Sequence, residues 1–376
     1  MPLLLGEFIE SRGLRGAIMG LDNALALLLI PVIGTWSDRV NTPLGSRLPF
    51  IVVALPLAAV FLALLPVAGT TLSLLIAADI VFLLAMTVLR APIISLMPDH
   101  VAPPRRSAAN GLINLMGGIG GLMAFFVLAP LWDLNQIYPF LLGGAILLLV
   151  LPILVLAVDR RPPFAELVTA QEATPLGSLL SGVRSLLEPQ HRRALALLSA
   201  IALYTIGFAA VEAQFTVYAT ESLGITGGTA GLLLGVFSLA FVIAAVPAGY
   251  VGSRLGKSRA MQLGLLGMPL GLLGAAFSAS VVPLGISLAF AGFGWALINV
   301  QAYPWVADLG GTERIGFFTG LYYLFTMSAS VVAPTFAGTL MDLFGDVSLF
   351  ALVIGALLTG FLLLPKRDEA PPAQAG

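Results

Sequence analysis

Eleven stretches of this chain each run to about twenty mostly apolar residues, long enough for a helix to cross the hydrocarbon of a membrane. They lie near residues 14–35, 50–68, 71–97, 108–131, 137–158, 193–218, 227–252, 259–281, 283–307, 315–341 and 346–365. In hydrocarbon every backbone N–H and C=O must be satisfied within its own segment, so these stretches are expected to be helices. Several exceed the bilayer thickness, which implies tilt or ends that project into water. Charge agrees: 10% of the residues are charged and 59% hydrophobic, whereas a soluble domain carries about a quarter charged residues. The expected class is therefore an all-α membrane protein whose outer surface meets the lipid bilayer.

The same composition excludes other classes. A formal net charge of −1 offers no field for nucleic acid. Cysteine is absent, so disulfides, thiol chemistry and cysteine-based metal sites are excluded. Met1 to Phe8 carries Glu7 and no basic residue, unlike a signal peptide. No metal-ligand spacing, no G-x-x-x-x-G-K-[ST] phosphate loop and no G-x-S-x-G elbow occurs, and the glycines at 117–121 lie inside a span. The chain reads as a non-enzyme without cofactor or metal, and with no ATP site.

Arginine and lysine alternate along the chain. Arg39, Arg47, Arg105, Arg106, Arg160, Arg161, Arg184, Arg192, Arg193, Arg254, Lys257, Arg259, Arg314, Lys366 and Arg367 fall in every second loop, while the loops at 69–70 and 278–282 have none. By the positive-inside rule the basic loops and the C-terminus are cytoplasmic, as in a multi-pass protein of the plasma (inner) membrane. Arg12 and Arg15 dissent. Residues 159–192 form the one long polar interruption, where Leu176, Leu179, Leu180, Val183 and Leu187 recur at the spacing of a surface-lying amphipathic helix. This divides the chain into an N-terminal bundle (1–158), an inter-bundle loop (159–192), a C-terminal bundle (193–367) and a disordered tail (368–376).

The bundles share a repeat. Gly34-Thr-Trp-Ser-Asp38-Arg39 is echoed by Gly249-Tyr-Val-Gly-Ser-Arg254, each after an in-helix proline, and Asp99, Arg105 and Gly111 share the spacing of Asp308, Arg314 and Gly320. Two motifs repeating in order imply two homologous halves, and parallel six-helix repeats around a mid-membrane substrate are the plan of the major facilitator fold. Glu7 precedes Gly34 much as Glu221 precedes Gly249. Met1–Phe8 thus corresponds to the last turns of the helix at 193–218, and the expectation is eleven full spans plus a stub of the first, with an open groove beside it.

Ionisable residues inside spans cost about 2.5–3.5 kcal/mol each by insertion scales and are functional candidates by default. Asp22, Asp79, Arg90 and Glu212 stand out. Asp79 and Arg90 share a helix face about 16 Å apart along the axis, too far for a direct pair. A carboxyl group in a low-dielectric cavity can bind and release a proton near neutral pH, and a nearby Arg favours release. The spacing thus suggests proton coupling by Asp79, Arg90 and Asp22, against a purely structural ion pair. Asn23, Asn110, Asn114, Glu212, Gln214, Asn299, Gln301, Tyr303, Tyr322 and Tyr323 are candidate hydrogen-bonding partners for a substrate, with Trp295 able to stack on it. Each of these serves equally well as a bond between helices. Asp346, outside such a cavity, is expected to tolerate Asn, and His100 and His191 to be solvated.

The loop Gly34-Thr-Trp-Ser-Asp38-Arg39 with Gly45 and Arg47 resembles the signature loop of the major facilitator superfamily. Asp22-Asn23, Pro31 to Arg39, Gly45-Ser-Arg-Leu-Pro-Phe50, the Asp79–Arg90 spacing, Met97-Pro-Asp99 and Arg106-Ser-Ala-Ala-Asn110 are similar to the sucrose-transporter and glycoside–pentoside–hexuronide symporter group. The resemblance implies a monomer moving a sugar together with a proton by alternating access. It assigns coupling to the helix-four Asp, here Asp79, and substrate binding or coupling to Arg90. Leu48 departs from the group, which often has another Arg there. Asp38, Arg39, Arg47, Asp99, Arg105, Asp308 and Arg314 are expected to form gating pairs, with Gly34 and Gly45 allowing close helix contact and a tight turn. Export of drugs or other metabolites by proton antiport is the alternative on the same fold.

Overall fold

Prolines punctuate the helices without ending them, and hydroxyl side chains tie the turns. Pro31, Pro56, Pro66, Pro92, Pro98, Pro152, Pro247, Pro269, Pro304 and Pro334 all lie inside helices. Thr87 donates to the Leu83 carbonyl and Thr205 to the Ile201 carbonyl, both at 2.8 Å, which satisfies the hydroxyl where no water is present. In the computed structural model, residues 1–102, 105–164, 186, 188, 191–278, 280–309 and 315–366 are described. The amphipathic helix expected within 159–192, Arg314 and the tail at 368–376 lie outside them.

The helices are α1 (Pro2–Gly6), α2 (Arg12–Arg39), α3 (Leu48–Ala68), α4 (Leu72–His100), α5 (Arg106–Met123), α6 (Ala129–Leu134) and α7 (Tyr138–Ala157). They continue as α8 (Arg192–Glu221), α9 (Gly227–Leu255), α10 (Lys257–Ala276), α11 (Val281–Leu309), α12 (Ile315–Phe344) and α13 (Ser348–Leu363). A π-helical turn, Ala124–Leu128, joins α5 to α6 so that they run as one rod. Among the described residues nine helices are long and apolar enough to cross a membrane. The expected eleven includes two further helices, α10, which opens on Lys257 and Arg259, and α13, of 16 residues.

The chain divides into two units, residues 21–173 with the first ten or so, and residues 174–376 with 11–20. In the first unit α3 packs on α4 and α7, with Leu48, Ile51, Ala54, Leu55 and Leu89 at its core. In the second, α8 packs on α12 and α13, while α11 packs on α9 and α10. Glycine sets the approach there: a Cβ on Gly264 or Gly294 would lie 2.5 Å from backbone atoms of the facing helix. The opening of α2 belongs to this second unit, and Gly16 lies so close to α12 that a Cβ would stand 2.1 Å from the Pro334 carbonyl oxygen.

Candidate functional site

α2 and α4 carry the charges retained inside spans of the first unit. Nη2 of Arg90 lies 3.7 Å from Oδ2 of Asp22, with both side chains about a third exposed. Asp79, three turns before Arg90 on α4, is buried and makes no side-chain hydrogen bond or ion pair among the described residues. The structure therefore brings Asp22, rather than Asp79, to Arg90. It leaves one paired carboxylate and one buried carboxyl group within a single unit, the second free to gain or lose a proton without breaking a bond. Asn23, beside Asp22, is half-buried.

The loop after α2 is locked at its base. Arg47 donates from Nε to Oδ2 of Asp99 at 2.9 Å and from Nη1 to Ser37 Oγ at 2.6 Å, and also pairs with Asp38. Burial opposes the charge on Arg47, but its hydrogen bonds to Asp99 and Asp38 and their negative charge outweigh it and raise its pKa. Gly45 turns the chain with φ +84°, its N–H donating to the Thr42 carbonyl at 2.8 Å, and a Cβ there would lie 2.5 Å from the Arg160 carbonyl oxygen. Gly34 differs from expectation: open space surrounds its missing Cβ, so it permits no close helix contact. Arg39 and Arg105 are exposed outside this cluster. His100 is not simply solvated either, for its ring nitrogens meet the carbonyls of Leu96 and Asp159 at 2.8 and 3.2 Å.

The second unit repeats the lock with other residues. Lys257 pairs with Asp308 and donates to the Pro304 carbonyl at 3.2 Å, after Gly256 with φ +88°. Sequence spacing pointed to Arg314 and missed Lys257. The signal was a glycine–base pair directly after a span, Gly256-Lys257, which stands where Gly45 and Arg47 do.

Three of the proposed substrate contacts in the second unit, Gln214, Gln301 and Trp295, hold helices together. Gln214 donates to the carbonyls of Pro334 at 3.0 Å and Arg12 at 3.3 Å, and Gln301 to that of Ala248 at 2.9 Å. Trp295 is buried, stacked on Phe208 with ring centroids 4.3 Å apart, and the Tyr204 ring stands edge-on to it. Tyr303, Tyr322 and Tyr323 form a partly exposed edge-to-face series at 5.5 and 5.4 Å. Asn110, Asn114 and Glu212 are exposed and Asn299 half-buried.

Sequence reasoning also missed an ionic knot at the start of α2. Asp342 of α12 accepts from the N–H groups of Arg12 and Gly13, each at 3.0 Å, and from Ser11 Oγ at 2.8 Å, capping that helix from outside its own chain segment. Arg12 pairs with Glu221 and Asp346, and Arg15 with Glu221 at 2.9 Å. Asp346 also accepts from Ser222. It is thus a structural carboxylate, against the expectation that it would tolerate Asn.

Two units on one repeated plan, with charges kept inside the spans, are the plan of membrane transporters. The chain belongs to the Major Facilitator Superfamily, whose model matches residues 1–220 and again 196–376. Among solved structures it is similar to a bacterial homologue of the human lysosomal transporter Spinster, with TM-score 0.75 and 14% identity over 96% of this chain and 92% of that one. It is similar too to a bacterial homologue of the iron transporter ferroportin (TM-score 0.71, 16% identity, 97% and 92% covered) and to the nucleoside transporter NupG (0.70, 14%, 94% and 90%). At these identities the likeness shows the fold alone. No curated protein matches.

Proposed function

We propose that this transporter moves a hydroxylated small molecule, a sugar or glycoside, together with a proton by alternating access. The observation that carries the coupling is the division of labour between the carboxyl groups: Asp22 faces Arg90 at 3.7 Å, while Asp79 is buried without a side-chain partner. A buried carboxyl group is stable when protonated and demands a cation when it is not. Its titration can therefore be tied to a change of state in which Arg90 comes within reach. For the substrate, the support is the partly exposed Tyr303, Tyr322 and Tyr323 with Asn299, which offer hydroxyl and amide groups on a ring-lined surface.

Proton-coupled export of less polar metabolites is the second reading. It draws on the loss of Trp295, Gln214 and Gln301 to helix packing, which leaves fewer polar groups for a sugar. Sugar-induced alkalinisation of a lightly buffered suspension of inverted or right-side-out vesicles separates the two. A panel of mono- and disaccharides is expected to contain at least one that moves protons with it. A panel in which only apolar amines or anions move protons, in the opposite direction, contradicts the sugar reading.

A further inference from the structure

His100 ends α4 with both ring nitrogens turned toward carbonyl oxygens, Nδ1 to that of Leu96 at 2.8 Å and Nε2 to that of Asp159 at 3.2 Å. A carbonyl only accepts, and a neutral imidazole carries a single N–H. The neutral ring therefore serves one of the two and sets a lone pair against the other. The doubly protonated ring serves both. Leu96 lies one turn back on the same helix, whereas Asp159 is 59 residues further on, just past the end of α7. The second contact is thus the one that ties two separate parts of the first unit.

Asp159 opens a short segment that is held at two further points. The Arg160 carbonyl oxygen lies against Gly45, where a Cβ would stand 2.5 Å from it, and the Phe164 N–H donates to the Asp99 carbonyl at 3.1 Å. Between them Oδ1 of Asp159 accepts from the Arg161 N–H at 3.1 Å and turns the chain. Gly45 and Asp99 both belong to the Arg47 lock, so residues 159–164 lie across it. Arg47, His100, Asp159 and Arg160 line one cavity of about 10 Å³, room for no more than about one water. No ligand fits there, and the chemistry left to His100 is to fasten the segment or let it go.

We propose that residues 159–164 form a strap over the Arg47 lock, buckled by protonated His100 and released when that ring loses its proton. The charged groups around the ring are Asp99 on α4, Arg47 just before α3 with Asp38 paired to it, and Asp159, Arg160 and Arg161 on the strap itself. Carboxylates and guanidinium groups ordinarily titrate well outside the neutral range. Between about pH 5 and 8 imidazole is the side chain whose charge ordinarily changes. The sign follows from the hydrogen bonds. The buckled form uses the second ring proton, so acid fastens the strap and alkali frees it. The bonds from Arg47 to Asp99 and Ser37 do not involve His100, so release uncovers the lock without opening it.

The chain has no cysteine, so Arg161→Cys gives a single attachment point for a nitroxide at an exposed position of the strap. Spectra of the whole labelled protein in lipid vesicles are compared at about pH 5.5 and about pH 8.5, on either side of the imidazole range. The label is expected to move about threefold faster, or more, at the higher pH. His100→Gln in the same background should abolish the pH response, because an amide does not titrate. Amide exchange in the unsubstituted protein covers the case in which a variant does not fold. Protection of the Phe164 N–H, corrected for the intrinsic pH dependence of exchange, should fall about tenfold across the same range. Equal label motion at the two pH values, a response in His100→Gln as large as without it, or Phe164 protection indifferent to pH would each overturn the proposal.

Discussion

At Arg47 a buried guanidinium meets the fully buried Asp99, the buried Ser37 hydroxyl and the exposed Asp38, and the consequence of removing one member can be stated. Arg47→Ala leaves the fully buried Asp99 without its cation, a change that costs about 3–5 kcal/mol when an ion pair is broken from one side. Thermal unfolding of the detergent-solubilised protein should show it as a large fall in Tm. Arg47→Lys keeps the charge but loses the fork that serves Asp99 and Ser37 together, and should fall between. An unchanged Tm in both variants would remove the cluster from the account. At Asp22 and Arg90 the pair is half in solvent, so charge removal should alter transport more than stability: Asp22→Asn and Arg90→Lys are expected to impair coupled uptake with Tm close to the parent.

Such residue-scale features were unevenly legible in the sequence. Asp22, Asp79 and Arg90 are legible because charge inside an apolar run is costly. Which carboxylate meets Arg90 is not, since that depends on how α2 is rotated against α4. Gln214, Gln301 and Trp295 could not be sorted from substrate-facing groups, because a polar or aromatic side chain between helices has the same sequence signature as one lining a cavity.

Among the helices, close approach is decided by single glycines, and the glycines are not alike. Gly16→Leu would drive a side chain into the Pro334 carbonyl and should destabilise by about 1–3 kcal/mol or more. Gly34→Ala meets open space and should leave stability within about 0.5 kcal/mol of the parent. Equal effects of the two would contradict the packing described. The cap on α2 makes a second contrast: Asp342→Ala should cost about 0.5–2 kcal/mol and Asp342→Asn less, because an amide oxygen still accepts from Arg12 and Gly13. The same knot explains why Arg12 and Arg15 broke the alternation of basic loops. Glu221 and Asp346 sit against them, so their charge is matched locally, and a count of Lys and Arg does not register acidic partners distant in sequence.

On the scale of the whole molecule, the repeat was the most informative thing in the sequence. It placed the Asp99 and Asp308 locks in equivalent loops. The expected eleven crossings exceed the nine long apolar helices among the described residues, because α10 opens on charged residues and α13 is short. The central claim concerns neither count nor lock but the buried carboxyl group. For one coupled proton, a gradient of one pH unit supports about tenfold accumulation of a neutral substrate, since each unit is 1.36 kcal/mol. Vesicles holding the parent protein are therefore expected to concentrate a transported sugar about tenfold under such a gradient. Vesicles with Asp79→Asn should only equilibrate it while still exchanging labelled for unlabelled sugar, and the exposed Glu7→Gln should behave as the parent. Accumulation by Asp79→Asn at the parent's level would contradict the account.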